Sequence, residues 1–329
     1  PVIDLSGNSD PNDSSEAVTW TEQDGPILVH PDIVATDVDS TNFAGCDLRI
    51  EPLLDGPDET IAVVIPGGSS ISSSYIAASG HLRLTGVDTI DNYIATLASV
   101  TYDNSELNPS LEDREVHVVC RDDSSDVDTN QSNEAISTIT IVPFNDPPSV
   151  DLSGPAAIGL DFTTSYTEDG TPTAIAPDGE VTDIDSDTLS QCEVTIDNPI
   201  DGNNEILTAN VGSSGLSSFY NPSTHTLTIN GEQIKQVYST VLQSVTYENT
   251  DDSPDLTDRT VLVHCFDSDG LSSPDSTTTI QMNANNDAPV LDLSESVEGT
   301  GYTNEWIEDE GGVAVVAFDA TISDPDSTN

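Results

Sequence analysis

The sequence predicts an all-β protein made of tandem Greek-key β-sandwich domains arranged end to end. Three observations support this prediction: a long internal repeat, short β-branched runs between turn residues, and a pair of cysteines in each complete repeat. Runs such as CEVTI at 192–196 and RTVLVHC at 259–265 alternate in polarity and are bounded by Gly, Pro, Asn and Asp. This spacing is typical of sandwich strands.

The repeat is about 145 residues long, which is the size of a domain and not of a solenoid unit. PVIDLSG at 1–7 recurs as PSVDLSG at 148–154 and as PVLDLSE at 289–295. Further matched segments are DVDS at 37–40 with DIDS at 183–186 and DPDS at 324–327, SVTYDN at 99–104 with SVTYEN at 244–249, and DREV at 113–116 with DRTV at 258–261. We therefore predict a first domain at 1–147, a second at 148–288 and the start of an incomplete third at 289–329. The rest of a longer protein or a neighbouring chain is expected to complete the third domain.

Two kinds of segment stand out within each copy. YIATLASVTY at 93–102 and IKQVYSTVLQSVTY at 234–247 have the apolar spacing of a short helical or looped insert before a strand. Trp20, Tyr166 and Trp306 take equivalent places just before a repeated glutamate. We expect these aromatic side chains to plug the end of each sandwich, and stacking on a sugar is the alternative.

The charge balance excludes several kinds of partner. The chain has 60 acidic residues against 6 lysines and arginines, for a formal net charge of -54. Such a chain is not suited to nucleic acid or to an anionic membrane surface, and no apolar run is long enough to insert into a membrane. Because self-repulsion opposes compactness, the charge favours bound divalent cations or a salt-rich setting.

The four cysteines recur with the repeat, since Cys46 matches Cys192 and Cys120 matches Cys265. Three connectivities exist for four cysteines. A self-contained domain should pair internally, so the repeat favours Cys46–Cys120 and Cys192–Cys265. Each bridge should restrict the unfolded chain by about 4 kcal/mol in the entropic model. Disulfides place the protein in an oxidising compartment, outside the cell or at its surface. Free buried thiols and a zinc site with nearby histidines are the alternatives.

Several of these segments resemble parts of a cadherin repeat in their order and spacing. They are LEDREV at 111–116, TED at 167–169, DIDS at 183–186 and the tract 261–289, which runs from a strand through a DxDG turn to an Asn-Asp-x-Pro linker. The likeness is closer to the cadherin-like repeats of bacterial and protist surface proteins. The linkers read NDPP and NDAP, whereas vertebrate cadherins have Asn-Asp-Asn-x-Pro.

The resemblance implies that calcium binds at the junctions between domains. Calcium requires several oxygen ligands, and one segment rarely supplies enough of them. At the first junction the implied ligands are Glu22, Asp113, Glu115, Asn145, Asp146, Asp183 and Asp185, together with Asp267 or Asp269. At the second they are Glu168, Asp258, Asn286, Asp287, Asp324 and Asp326. The alternative is that these acids only cap turns, a role that Asp and Asn often take.

The functional prediction is an extracellular structural or adhesive rod, or a filament segment, stiffened by Ca2+. Its expected partners are other copies of itself or other surface proteins, and glycans are a further candidate. Asn12 and Asn130 fit the N-glycosylation pattern. The five histidines lie in no catalytic motif, and the sequence has neither GxSxG nor a phosphate-binding glycine loop, so we predict no enzyme. The alternatives are a carbohydrate- or receptor-binding module and a salt-adapted coat protein without specific calcium.

Overall fold

The computed structural model describes residues 1–7, 15–124, 130–294, 299–309 and 311–324. The chain divides into two compact units, Pro1–Phe144 and Asn145–Asn329. Each unit contains a sandwich of β-sheets with a single short α-helix among its described residues, which confirms the predicted fold class. No helix among the described residues has the length and apolar character that crossing a membrane requires.

The elements of the first unit follow one another in this order: β1 Val2–Asp4, β2 Glu16–Thr21, β3 Ile27–Leu28, β4 Val34–Thr36, β5 Asn42–Glu51, β6 Glu59–Ala62, β7 Ser72–Ile76, β8 His81–Thr89, α1 Ile90–Leu97, β9 Thr101–Asn104, β10 Arg114–Asp122 and β11 Ala135–Val142. Short 3-10 turns lie at Gly56–Asp58 and Ala77–Ser79.

The second unit repeats this order: β12 Ser149–Asp151, β13 Phe162–Thr167, β14 Thr173–Ala174, β15 Glu180–Thr182, β16 Thr188–Ile196, β17 Glu205–Thr208, β18 Ser217–Asn221, β19 Thr226–Ile234, α2 Lys235–Leu242, β20 Thr246–Asn249, β21 Arg259–Asp267 and β22 Ser276–Asn283. A 3-10 turn lies at Gly202–Asn204. A two-stranded pair follows, β23 Val290–Asp292 with β24 Thr321–Ser323.

The two sandwiches share one topology. A six-stranded sheet runs β2-β11-β10-β5-β8-β7 in the first unit and β13-β22-β21-β16-β19-β18 in the second. Smaller sheets, β3-β9-β6 with β1-β4 and β14-β20-β17 with β12-β15, complete the sandwiches. Many neighbouring strands are not consecutive in the chain, because the chain crosses between sheets as in a Greek key. Alternate side chains of each long strand enter the core, as the period of two requires.

Both predicted inserts are helices. Tyr93 and Leu97 of α1 are buried four residues apart, and Tyr238 and Leu242 of α2 repeat the pair. The helix α1 begins at a Thr89 cap, whose hydroxyl accepts a hydrogen bond from the Asn92 amide at 3.3 Å. Of the two expected forms, helical or looped, both copies therefore adopt the helical one.

Both predicted disulfides are present, and each joins neighbouring strands of one sheet. Cys46 of β5 pairs with Cys120 of β10, and Cys192 of β16 pairs with Cys265 of β21. Each bridge closes a loop of more than seventy residues, with sequence separations of 74 and 73. The bridges therefore tie together the two central strands of each large sheet.

The repeated aromatic position is buried in the first two copies. Trp20 is fully buried and meets Tyr102 edge-on with ring centroids 6.0 Å apart, and Tyr166 meets Tyr247 at 5.4 Å. Trp306 is 59% exposed, so the described part of the third copy does not enclose it as the first two copies enclose Trp20 and Tyr166. Its indole still donates to the Gly311 carbonyl at 2.8 Å, as Trp20 donates to Gly25. Only the β23–β24 pair is described in this copy, and two short strands cannot cover the ring.

One histidine is enclosed in the first core. His30 is fully buried, and its Nδ1 lies 3.2 Å from the Ser137 hydroxyl. Its Nε2 has no hydrogen-bond partner among the described residues. Burial lowers the pKa of His30 from 6.5 to about 4, because the charged ring would lose its hydration. The ring is therefore neutral in the folded protein at neutral pH.

This burial predicts an acid-sensitive first domain. Between pH 6.5 and 4 the unfolded chain binds a proton that the folded His30 does not. Stability from the neutral ring is complete above pH 6.5 and is lost as the pH falls towards 4, by roughly 3 kcal/mol. Urea unfolding over this range should give a flatter pH profile for His30→Asn than for the natural chain.

The matched control is His225→Asn, in a turn of the second domain where φ is 52° and asparagine is well tolerated. It should leave the pH profile of the first domain unchanged. Equal profiles for the natural chain and His30→Asn would contradict the assignment.

Candidate metal centre

Three aspartates converge at one end of the first domain. Asp37 and Asp39 lie in the loop after β4, and Asp122 ends β10. One carboxylate oxygen from each lies within 4.8 Å of the others, and no other group of three potential metal ligands in the described ranges does so. Asp37 Oδ1 accepts hydrogen bonds from the amides of Asp39 and Ser40 at 3.0 and 3.1 Å, which fix the loop. Asp37 Oδ2 lies 3.0 Å from the Pro1 nitrogen.

The second domain repeats the loop with Asp183 and Asp185. Asp183 Oδ1 accepts from the amides of Asp185 and Ser186 at 3.2 and 2.8 Å. The third aspartate is Asp267 at the end of β21, which is fully buried. Its Oδ1 accepts from the amides of Gly270 and Leu271 at 2.6 and 2.9 Å. The strand order therefore places the same three acids at the same end of both domains.

Residues of the linker reach the second group of acids directly. The Asn145 side-chain amide donates to Asp267 Oδ2 at 2.7 Å, and the Asp146 backbone amide donates to Asp185 Oδ2 at 3.1 Å. Five predicted ligands are thereby brought into one region of the second unit: Asn145, Asp146, Asp183, Asp185 and Asp267.

This region concentrates negative charge in a poorly hydrated place. Asp183 is 8% exposed, and burial, with Asp185 beside it, raises the pKa of Asp183 to about 6. Asp183 Oδ2 and Asp185 Oδ1 are buried with no hydrogen-bond partner among the described residues. A buried carboxylate oxygen without a partner is costly unless a cation compensates it. Hard oxygen ligands of this kind suit calcium.

A buried glutamate lies at the opposite end of each domain. Glu22 is 3% exposed, and its Oε2 accepts from the Phe144 amide at 2.9 Å. Glu168 is 2% exposed and accepts from the Asn285 amide at 3.0 Å. Each glutamate therefore anchors the segment that follows the last strand of its sandwich.

The three residues of the Asp-Arg-Glu segment at 113–115 differ in burial. Asp113 and Glu115 are exposed, and Glu115 Oε2 lies 3.1 Å from His117 Nε2. Arg114 between them is fully buried and donates to Glu59 and, at 2.7 Å, to Asp55. No metal-ligand group among the described residues contains Asp113 or Glu115. The arginine is thus the structural part of the segment.

The second copy keeps the same buried pair. Arg259 is fully buried and donates to Glu205 and to Asp201, the latter at 2.5 Å. Burial raises the pKa of Glu205, although Arg259 opposes the shift. Asp258 is exposed, and its carbonyl accepts from Asn198 at 2.9 Å.

The remaining predicted site residues are scattered or lie outside the description. Asp269 and Asn286 are exposed, and Asn286 donates to the Asp287 carbonyl at 2.7 Å. Asp324 is half-buried, and Asp326 lies outside the described residues. Of the two glycosylation candidates, Asn130 is half-buried and Asn12 lies outside the described residues.

Two groups were not among the predicted site residues. Asp37, Asp39 and Asp122 form the first, although each lies one repeat length before Asp183, Asp185 or Asp267. The buried arginines were also missed. The arginine shared by DREV and DRTV was the available signal, but it does not reveal the partners, which lie more than fifty residues earlier.

The burial of Arg114 predicts that substitutions at two neighbouring positions, 114 and 115, have very different effects on the stability of the first domain. Arg114→Met should cost the first domain about 3–5 kcal/mol, because it leaves the buried Glu59 carboxylate without a countercharge. Its neighbour variant Glu115→Gln should change stability by less than about 0.5 kcal/mol. Both values come from urea unfolding in EDTA, and similar losses for the two variants would refute the structural role of Arg114.

Comparisons with known proteins add little beyond this geometry. No family model and no curated protein matches the chain. Solved structures similar to it include the titin domains Z1Z2 in complex with telethonin. That alignment has 8% sequence identity and a TM-score of 0.24, and it covers 82% of this chain and 93% of the titin chain. The fibronectin(III)-like modules of Clostridium thermocellum CbhA have 10% identity, coverages of 72% and 94%, and a TM-score of 0.22. Drosophila N-cadherin EC1-3 has 9% identity, coverages of 82% and 98%, and a TM-score of 0.18. Because these scores are low, the assignment of the fold rests on the strand order within each unit.

Proposed function

We propose that this chain is a segment of an extracellular structural or adhesive rod whose domain junctions bind calcium. The observation that carries the proposal is the acidic group of the second domain. There, Asp183 and Asp185 present buried oxygens without hydrogen-bond partners, and the linker residues Asn145 and Asp146 bond to the same group. A cation bound there would hold the linker to the domain.

The disulfides support the proposed location. Cys46–Cys120 and Cys192–Cys265 occupy the two central strands of each large sheet. Such bridges persist in oxidising compartments, such as the outside of a cell. A structural role also fits the repetition, since the loop aspartates Asp37 and Asp183 accept the same backbone hydrogen bonds and both domains carry the same buried Arg–Glu pair.

Calcium is preferred over general salt screening because the acids are buried and ordered. Screening by monovalent salt acts mainly on exposed charges separated by more than about 10 Å. It does not supply a ligand for an enclosed oxygen such as Asp183 Oδ2. A divalent ion with six to eight oxygen ligands does so, and it cancels the mutual repulsion of neighbouring carboxylates.

Calcium should therefore stabilise the second domain. At about one hundred times its dissociation constant, the ion should add about 2.7 kcal/mol to the free energy of unfolding. The double variant Asp183→Asn/Asp185→Asn should lose this gain. Differential scanning calorimetry with calcium, with EDTA and with sodium chloride of equal ionic strength measures the effect.

The matched control is Asp252→Asn/Glu232→Gln, which removes two exposed acids from the same domain. It should keep the full response to calcium. The calcium proposal fails if EDTA does not change the unfolding temperature. If sodium chloride stabilises the chain as much as calcium does, the result favours a salt-adapted coat protein without specific calcium.

A further inference from the structure

Two long segments of this chain contain no charged side chain. Charged residues make up 20% of the sequence, yet Asp, Glu, Lys and Arg are all absent from 60–82 and from 206–231, which we call the neutral segments. No other run of this kind exceeds 12 residues. The two segments occupy the same place in both domains, since each begins in β6 or β17 and ends in β8 or β19. The absence of charge therefore belongs to one part of the domain and occurs twice.

Each neutral segment contains an edge strand of the large sheet. This strand is β7 in the first domain and β18 in the second. Among the described residues, β18 pairs only with β19, and the backbone of Ser217–Tyr220 has no hydrogen-bond partner outside β19. The outward backbone groups of such an edge can pair with a further strand.

Edge strands are usually protected against this pairing. A lysine, a proline or an inward-pointing charge keeps a second chain from adding to the sheet. The strand β18 reads SSFYN and has none of these. Its middle residue is Phe219, whose side chain is 69% exposed. An uncharged edge with an exposed aromatic ring is an open template for a further strand.

The surface beside β18 is also uncharged. On β19, Thr226 and Thr228 share the outer face of the sheet with Phe219. The nearest acids on the neighbouring strands are Glu193 on β16, two strands in from the edge, and Glu232, beyond the paired part of β19. Two strand spacings are about 10 Å, which is one screening length at ordinary salt concentrations. Repulsion at this edge is therefore weak.

The edge at β18 is better suited to a contact than the edge at β7. In the first domain, Arg83 of β8 lies opposite Ser74 of β7 and pairs with Asp47 at 2.9 Å. In the second domain, Thr228 of β19 lies opposite Phe219. Charged side chains thus come one strand closer to the edge in the first domain than in the second.

We infer that β18 pairs with the same strand of a second copy of this chain, in antiparallel orientation. Copies with a formal net charge of -54 repel each other over most of their surfaces, so they approach most easily where charge is absent. The exposed edge at β18 meets this condition. The contact goes beyond the proposed calcium-bound rod, because it joins two rods side by side and does not depend on calcium.

The sequence of β18 gives the pair a defined register. The strand has five residues, so a twofold axis at its middle places Phe219 opposite Phe219 of the second copy. Ser217 then lies opposite Asn221, and no charge meets a like charge. Aromatic residues directly opposite each other stabilise an antiparallel pair. The contact uses the same surface on both copies and closes into a dimer. Because so short a strand buries little area, we expect a dissociation constant of about 10–100 µM.

The first test is self-association of the 329-residue chain in EDTA. Sedimentation velocity at up to about 0.1 mM protein should show a dimer. The dimer should be stronger at about 0.5 M sodium chloride than at low salt, because salt screens the repulsion between copies. Phe219→Glu should weaken association at least about tenfold, because it places two carboxylates opposite each other. Circular dichroism should show that this variant remains folded.

The matched control is Thr163→Glu, which adds one exposed acid to β13, the opposite edge of the same sheet. It should dimerise as the natural chain does. Equal weakening by both substitutions would overturn the role of β18. A natural chain that stays monomeric at both salt concentrations would overturn the second copy as its partner.

Cysteine substitutions test the register. Directly opposite residues of an antiparallel pair have Cα atoms about 5 Å apart, within reach of a disulfide. Phe219→Cys should therefore give a covalent dimer under mild oxidation. Ser217→Cys should not, because its two copies lie about 14 Å apart along the strands. The double variant Ser217→Cys/Asn221→Cys should form the covalent dimer again.

The cross-linking results decide the geometry independently of calcium. Ser217→Cys cross-linking as readily as Phe219→Cys would overturn the proposed register, and no cross-link at position 219 would overturn the strand pair. Because every measurement is made in EDTA, a dimer that depends on Phe219 supports the inference even if calcium does not stabilise the second domain.

Discussion

The folding of this chain depends on how it compensates buried carboxylates when cations are scarce. Sixty acidic residues share the sequence with six lysines and arginines, yet several acids are almost completely enclosed. Where β6 and β17 begin, Glu59 and Glu205 are paired with buried Arg114 and Arg259. These two arginines are the interior cations of the described residues, and a charge left unpaired at such depth is strongly destabilising.

The ends of the domains meet the same constraint in a different way. Glu22 and Glu168 accept hydrogen bonds from backbone amides, as does Asp267. Backbone amides bring only partial positive charge, so they compensate these carboxylates less completely than a guanidinium does. Of the remaining cations, three arginines lie on the outer face of one sheet in the first domain.

The repeat made much of the fold predictable, because every observation occurs twice. The pairing of Cys46 with Cys120 and the helices at Ile90–Leu97 and Lys235–Leu242 follow from matched positions with matched patterns. The site was less predictable. An arginine between two acids looks like a surface residue, and only strand alternation decides that Arg114 points inward. The shared outer face of Arg49, Arg83 and Arg121 depends on the register of three strands, which composition and spacing do not encode.

The position of each disulfide has a mechanical consequence. In the first domain, the long strands nearest its two ends, β2 and β11, are parallel neighbours over six residue pairs. Tension applied through the chain would shear this pair along its length and load its hydrogen bonds together. If the domain unfolded under tension, the Cys46–Cys120 bridge would prevent the loop that it closes from extending. This loop spans 74 residues, equivalent to roughly 250 Å of extended chain. A pulled domain would lengthen only outside this loop, so each bridge sets an upper limit on extension under force.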